Sequence, residues 1–141
     1  MADSDFVLHP QLARDTLLLG DLALCRVLLI NDANYPWILL VPRRRDVTEI
    51  TDLGAVERVH LMTEVTLVAD ALKAETGCHK LNIAALGNMV PQLHVHVIAR
   101  FRTDAAWPRP VWGHAPPAPY EDDKLASVIA RLRRAIWLSP Q

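Results

Sequence analysis

Two apolar segments separated by a short polar turn constrain the fold of this chain more than any other feature. Residues 22–30 (LALCRVLLI) are aliphatic and β-branched, and the NDAN sequence at 31–34 is rich in residues that favour turns. Residues 37–41 (WILLV) form a second strand-like segment, which Pro42 ends because proline cannot donate to a central ladder. The pair predicts an antiparallel hairpin.

A long amphipathic helix and two further strands are predicted after the hairpin. Between Asp52 and Thr76, apolar residues recur at steps of three and four, which is the spacing of one helix face. Asp52 is a suitable N-terminal cap and Gly77 a suitable C-terminal stop. Residues 80–85 and 93–101 have the composition of strands. The predicted apolar stripe of the helix consists of Val56, Val59, Met62, Val65, Val68, Ala69 and Leu72.

The C-terminal part combines an irregular segment with a last helix. Residues 105–119 contain five prolines and two tryptophans, which indicates an ordered arm without regular secondary structure. Asp122 or Asp123 can cap a final helix, whose apolar stripe runs from Leu125 to Ile136.

Together these elements predict one α+β domain, in which an antiparallel sheet packs with one long helix and one C-terminal helix. A chain of 141 residues with 51% apolar content is the usual size of a single domain with its own core. We expect the domain to span residues 1–141, with a core at about 20–102 and an arm and helix at 103–141.

Composition and charge exclude several classes of function. The formal net charge is −1, so no basic field favours a nucleic-acid partner, and the Arg43–Arg45 cluster is interpreted as a solvated loop. Cys25 and Cys78 lack metal-site spacing and are interpreted as buried thiols of a reducing compartment. The N-terminus is acidic where a secretory signal is basic, and the apolar run at 17–30 is too short to cross a membrane. A cytoplasmic protein with no membrane partner is therefore expected.

The segment PQLHVHVIAR, residues 91–100, carries the residues most suited to chemistry. In a strand, alternate side chains share a face, so Gln92, His94 and His96 are predicted to point to one surface at intervals of about 7 Å. A histidine near neutral pH can act as a nucleophile, as an acid or base, or as a metal ligand. Three kinds of site therefore remain open.

Two of these alternatives do not involve a nucleotide. The histidines can be structural, with their ring nitrogens satisfied by backbone groups. A metal site of the cupin type also uses two histidines on a strand, but it requires a glutamate shortly after them, where this chain has Ala99 and Arg100. Because Arg100 would repel a cation, no metal site is predicted.

The third alternative rests on a resemblance to a known family. GNMVPQLHVHV, residues 87–97, resembles the histidine triad (HIT) signature, in which three histidines alternate with apolar residues. The resemblance extends to Asn31 before the second strand, to the ILLVPRR sequence that follows it, and to the long helix, and it covers about residues 20–102. It implies a nucleotide-directed enzyme whose middle histidine attacks an α-phosphate.

Individual residue roles follow from this resemblance. His94 matches the nucleophile, and a neutral imidazole needs no deprotonation before it attacks. His96 matches the third histidine, which contacts the phosphate or the leaving group. Asn88 matches a polar residue that holds the phosphate, and Asn31 matches an asparagine that binds ribose hydroxyls. Arg100, near the end of the same strand, is predicted to contact phosphate.

The chain also departs from the HIT pattern. Gln92 stands where the first histidine belongs, and its amide can donate and accept hydrogen bonds but cannot carry a proton. We therefore expect Gln92 to orient groups in the site and not to act as an acid or base. Trp37 replaces a further histidine and is predicted to fill the core. Met89 stands where some members have a serine.

The resemblance implies hydrolysis or transfer of a nucleotidyl group from dinucleoside polyphosphates or nucleoside phosphoramidates. Two other classes remain open: a nucleotide-binding module with weakened catalysis, and a structural interaction protein. No cofactor is expected, the one alternative being Mg²⁺ bound together with the substrate phosphates. The resemblance also implies a homodimer.

Overall fold

The computed structural model describes residues 2–137 and consists of an antiparallel sheet flanked by helices, which confirms the α+β class. The sheet has five strands in the order β1-β2-β3-β5-β4, so β1 and β4 are its edges. The elements are α1 (Pro10–Asp15), β1 (Thr16–Asp21), β2 (Cys25–Ile30), β3 (Trp37–Pro42), a 3-10 helix (Ile50–Asp52), α2 (Ala55–Thr76), β4 (Lys80–Ala85), β5 (Val95–Arg100) and α3 (Asp122–Trp137).

The predicted hairpin is present. The residues just before it form a further strand, β1, which the sequence pattern did not predict. Strand β2 pairs antiparallel with β3, as expected, and also with β1 on its other side. The turn between β1 and β2 is itself apolar, so no turn-forming residue marks it. The carboxylate of Glu64 in α2 accepts the backbone N–H groups of Leu24 and Cys25 at 2.9 and 2.8 Å, and thereby satisfies this turn from outside.

Helix α2 begins later than predicted and ends where predicted. Its N-cap is Gly54, whereas the Asp52 carboxylate accepts the N–H groups of Thr48 and Glu49 in the preceding turn. Gly77 ends the helix in the left-handed conformation, with a φ of 64°, and its N–H bonds to the carbonyl of Lys73. The C-terminal stop is therefore confirmed, and the predicted cap is wrong.

Only the C-terminal half of the predicted α2 stripe is buried. Val65, Val68, Ala69 and Leu72 pack in the core, but Val56, Val59 and Met62 are 71%, 65% and 59% exposed. Ile83 of the edge strand β4 is also exposed. Leu61 and Glu64 of the same part of the helix are buried, so the buried face of α2 departs from the predicted stripe, whose repeated steps of three turn Val56 and Val59 away from the core.

Each face of the sheet is covered by a separate hydrophobic cluster. Helices α2 and α3 pack on one face over Val95, Val97 and Ala99 of β5, which lie together as the alternation of a strand predicts. The other face is covered by the N-terminal segment and by the arm after β5. The buried side chains of this second cluster are Leu12, Leu28, Tyr35, Trp37, Leu39, Val41, Ile98, Ala106 and Val111.

Candidate active site

His94 lies just before β5, on the sheet face that carries the second cluster, and it is 7% exposed. Its ring Nδ1 lies 2.6 Å from the backbone carbonyl oxygen of Gln92. A carbonyl only accepts hydrogen bonds, so Nδ1 carries the proton and Nε2 keeps its lone pair. The backbone therefore holds His94 in the tautomer that a nucleophilic imidazole requires.

His96 is fixed in the opposite tautomer by Trp37. The indole Nε1 of Trp37 donates to Nδ1 of His96 at 3.0 Å, and an indole nitrogen cannot accept in return. The proton of His96 therefore lies on Nε2. Burial lowers the pKa of His96 to about 3, and the neighbouring His94 contributes to this shift. His96 is thus a neutral hydrogen-bond donor at physiological pH.

Aromatic rings surround the two histidines. The ring centroids of His94 and His96 are 5.0 Å apart, and Trp37 and Trp112 contact His96 with centroid distances of 5.7 and 5.0 Å. Trp37 is buried in the second cluster, as predicted for a core residue, and in addition it bonds to His96. Sequence patterning gave no sign of this bond, because 59 residues separate the two partners.

Gln92 lies in a bend before β5, and its side chain bonds to the N-terminal segment. Its Nε2 donates to the carbonyl of Val7 at 2.9 Å, and its Oε1 accepts the backbone N–H of His9 at 2.9 Å. A carboxamide suits this pair of bonds because it donates and accepts from adjacent atoms. The side chain of Gln92 thus anchors residues 7–9, while its backbone carbonyl orients His94.

The guanidinium of Arg100 bonds to other side chains of the protein, whereas the sequence predicted that it contacts phosphate. Its side chain is buried, and its guanidinium makes two hydrogen bonds to Asp104, at 2.8 and 3.1 Å, and one to Asn82 at 2.8 Å. The cation also lies over the rings of Tyr35 and Trp107. These partners engage both the N–H groups and the faces of the guanidinium. Arg100 is therefore not part of the candidate phosphate site.

Asp104 is the charged partner that makes this burial possible. Its own burial would raise the pKa of the carboxyl, but the hydrogen bonds from Arg100 and from three backbone N–H groups outweigh that effect and lower the pKa to about 2. The ion pair therefore persists throughout the physiological pH range.

The two predicted asparagines lie in turns at different places. Asn88 is exposed in the turn between β4 and β5, next to Gly87. Asn31 is half-buried after β2, and its Oδ1 accepts the N–H of Tyr120 at 3.0 Å. Asp32 and Asn34 bond to the same part of the chain, at Ala118 and Pro116. The turn after β2 therefore holds the C-terminal arm in place.

A small hollow adjoins His94 at the turn between β4 and β5. Gly87 lines it together with Thr48 and Glu49, which precede α2. Its enclosed volume is about 10 Å³, which is room for about one water molecule. Thr48 and Glu49 carry no catalytic motif, so only the folded chain reveals that they neighbour His94.

Comparison with known proteins places this arrangement in a family. The family model described as the HIT domain matches residues 11–103, which include both histidines and Gln92. The chain belongs to the HIT domain family. The match also includes Asn31, Asn88 and the helix α2 between the two halves of the sheet.

Three solved structures of histidine triad proteins are very similar to this HIT protein. The protein from Bradyrhizobium japonicum is 57% identical, with a TM-score of 0.92 over 94% of this chain and 98% of its own. The protein from Marinobacter aquaeolei is 45% identical, with a TM-score of 0.92 over 96% and 98%. The protein from Sinorhizobium meliloti is 43% identical, with a TM-score of 0.91 over 94% and 98%. The comparison with curated proteins found no match.

Two further properties concern the described part of this HIT protein. Within residues 2–137, no helix combines the length and the apolar character needed to cross a membrane. Over the same range, histidine, cysteine, aspartate and glutamate side chains do not form a group of three that could hold a metal ion.

Proposed function

We propose that this HIT protein hydrolyses or transfers the nucleotidyl group of a dinucleoside polyphosphate or a nucleoside phosphoramidate, with His94 as the nucleophile. The observation that carries the proposal is the 2.6 Å hydrogen bond between His94 Nδ1 and the Gln92 carbonyl, because it leaves the Nε2 lone pair available. Membership of the HIT family supports the same class of chemistry.

The proposed reaction has two displacement steps at the α-phosphorus. Nε2 of His94 forms a bond to phosphorus, and the bond to the leaving group breaks with its electron pair leaving on that group. Water, or another acceptor, then attacks the nucleotidyl-histidine and releases a proton to solvent. The bond from phosphorus to Nε2 breaks with its electron pair returning to nitrogen, which restores the neutral imidazole. His96 donates its Nε2–H to a phosphate oxygen, and Gln92 orients His94 through its backbone carbonyl.

The remaining contacts of the substrate are assigned by position. Asn88 would hold the phosphate from its exposed turn, and Asn31 would contact ribose hydroxyls. The hollow beside His94 has room for about one water molecule. Any Mg²⁺ would enter with the substrate phosphates.

Turnover of matched substrates tests this function. Purified protein is incubated with diadenosine triphosphate, diadenosine tetraphosphate and adenosine 5′-phosphoramidate, and AMP release is measured for the wild type, His94→Ala and His60→Ala. His60 is an exposed histidine of α2 and provides the matched control. We expect His94→Ala to lower turnover at least about 10³-fold and His60→Ala to leave it unchanged. Absence of wild-type turnover across the panel would exclude the proposed enzyme.

A second candidate function is nucleotide binding without catalysis. The observation that favours it is the closed surface around His94, which is 7% exposed. This alternative predicts that AMP binds in calorimetry with no release of product from any substrate. The turnover panel separates the two candidates directly.

We also propose that the protein is a homodimer formed through α2 and β4. The exposed Val56, Val59 and Met62 of α2 and Ile83 of β4 are apolar, and β4 is an edge strand whose outer ladder groups can pair with a second copy. Sedimentation of Met62→Glu tests this, with Ser127→Glu, on the exposed side of α3, as the control. We expect Met62→Glu to be monomeric; a monomeric wild type at tens of micromolar would contradict the dimer.

A further inference from the structure

Trp37 and His96 are partners on the second face of the sheet. In the β3–β5 ladder, Leu39 lies opposite His96 and Trp37 opposite Ile98, so the indole of Trp37 is diagonal to the imidazole on the same face. The indole N–H donates to His96 Nδ1 at 3.0 Å, and both side chains are more than nine-tenths buried. This contact is therefore a fixed part of the site.

The contact prevents His96 from supplying a proton. His96 can give up its Nε2 proton only if Nδ1 gains one, and Nδ1 already accepts the Trp37 indole N–H, which does not ionise in this pH range. A protonated His96 would also be a buried cation beside His94, which burial strongly disfavours. His96 can thus stabilise negative charge on a phosphate oxygen but cannot act as a general acid.

Other groups near the nucleophile do not replace this missing acid. The Gln92 amide carries no transferable proton, and it already bonds to Val7 and His9. The proton on His94 Nδ1 is held by the Gln92 carbonyl. The Glu49 carboxylate at the hollow accepts the N–H of Asp52 and therefore faces the protein as an acceptor.

On the basis of the proposed function, we propose that Trp37 restricts this site to phosphoanhydrides, so that dinucleoside polyphosphates are substrates and nucleoside phosphoramidates are not. A phosphate leaving group departs as a stable anion when the bond between phosphorus and oxygen breaks, because its second pKa is about 6. An amine leaving group must gain a proton as the bond between phosphorus and nitrogen breaks. A site without a general acid therefore favours the anhydride. Trp37 acts as a positioning residue through His96.

A direct comparison of leaving groups tests the inference. Diadenosine triphosphate and adenosine 5′-phosphoramidate deliver the same adenylyl group to His94 and differ in what leaves. We expect kcat/KM for the phosphoramidate, which reports the step in which the leaving group departs, to be lower by about 10²–10⁴-fold, which is the usual contribution of general acid catalysis. Turnover of the phosphoramidate at a similar kcat/KM would overturn the inference while leaving the proposed function intact. Turnover of neither compound would overturn both.

The role of Trp37 has a readout that does not depend on turnover. Nitrogen-15 NMR of histidine-labelled protein reports which ring nitrogen of His96 is protonated. We expect the Nε2–H tautomer of wild-type His96 to persist from pH 5 to 8. We expect this tautomer to be lost in Trp37→Phe, which keeps an aromatic side chain but removes the N–H donor. Trp112→Phe is the matched control, since Trp112 contacts His96 through its ring. An unchanged tautomer in Trp37→Phe would overturn the assigned role of Trp37.

Discussion

The sheet face covered by α2 and α3 is built mainly from aliphatic side chains, whereas the face covered by the N-terminal segment also holds the two histidines, a tryptophan and a buried arginine. On the first face burial is favourable by itself, because apolar area is removed from water. On the second face each polar group must also find a partner, because an unpaired buried polar group is costly. The second face therefore carries the candidate site, and single changes there should have the more specific consequences.

The largest expected effect on stability comes from the buried ion pair of the second face. Arg100→Met leaves the Asp104 carboxylate buried without its charged partner, and we expect it to lower the free energy of unfolding by about 3–5 kcal/mol. Urea unfolding measures this. Arg102→Met is the control, since Arg102 is exposed, and we expect a change of less than about 1 kcal/mol. A fully stable Arg100→Met variant that loses only activity would restore Arg100 as a phosphate ligand.

The first face contains one polar exception, which sharpens the comparison. Glu64→Ala removes the carboxylate that accepts the N–H groups of Leu24 and Cys25, and should lower the free energy of unfolding by about 2–4 kcal/mol. Glu64→Gln keeps one acceptor oxygen and should lose about half as much. Free energies of unfolding equal to that of the wild type for both variants would show that the turn before β2 does not depend on this carboxylate.

The pH dependence of stability should reveal the buried histidine of the second face. The pKa of His96 is about 3 in the folded protein and about 6.5 when unfolded, so the unfolded state binds more protons between these values and stability falls as pH falls through this window. Between pH 7 and pH 5 the loss attributable to His96 should be up to about 2 kcal/mol. His96→Gln should flatten this slope relative to the wild type, whereas His60→Ala should not. An equal slope in His96→Gln would show that His96 titrates normally.

The smallest of the four effects concerns the link between Gln92 and the N-terminal segment. Gln92→Leu removes the bonds to Val7 and His9, and should cost about 1–2 kcal/mol. Hydrogen exchange at the backbone N–H of His9 should accelerate, while exchange in β2 should change only with global stability. If exchange at His9 is unaffected, the glutamine does not hold this segment.

Local patterns predicted much of the fold and some of the site. The alternation of β5 and the stop at Gly77 depend on neighbouring residues, so the sequence alone predicted them. Val56 and Val59 are exposed because repeated steps of three rotate away from one helix face, and the buried face passes through Leu61 and Glu64 instead. The β1–β2 turn was missed because its residues are apolar and two of its backbone N–H groups bond to Glu64, 39 and 40 residues away.

In the candidate site, too, the features set by neighbouring residues could be predicted and those set by distant residues could not. The spacing of His94 and His96 identified the two histidines and predicted their common face. Their tautomers could not be predicted, because one depends on a backbone carbonyl and the other on Trp37 in a different strand. Arg100 was assigned to phosphate because its position in β5 was visible, whereas its partner Asp104 lies in the irregular segment after the strand.

Mass spectrometry of a covalent intermediate tests the nucleophilic role of His94 most directly. Protein mixed with diadenosine triphosphate is quenched at alkaline pH, because a phosphorus–nitrogen bond to histidine is labile in acid, and its peptides are then sequenced. We predict an adenylyl group on His94 in the wild type, lost on acid treatment and absent from His94→Ala. Turnover without any such group in rapid-quench samples, or an adenylyl group on a residue other than His94, would contradict the account.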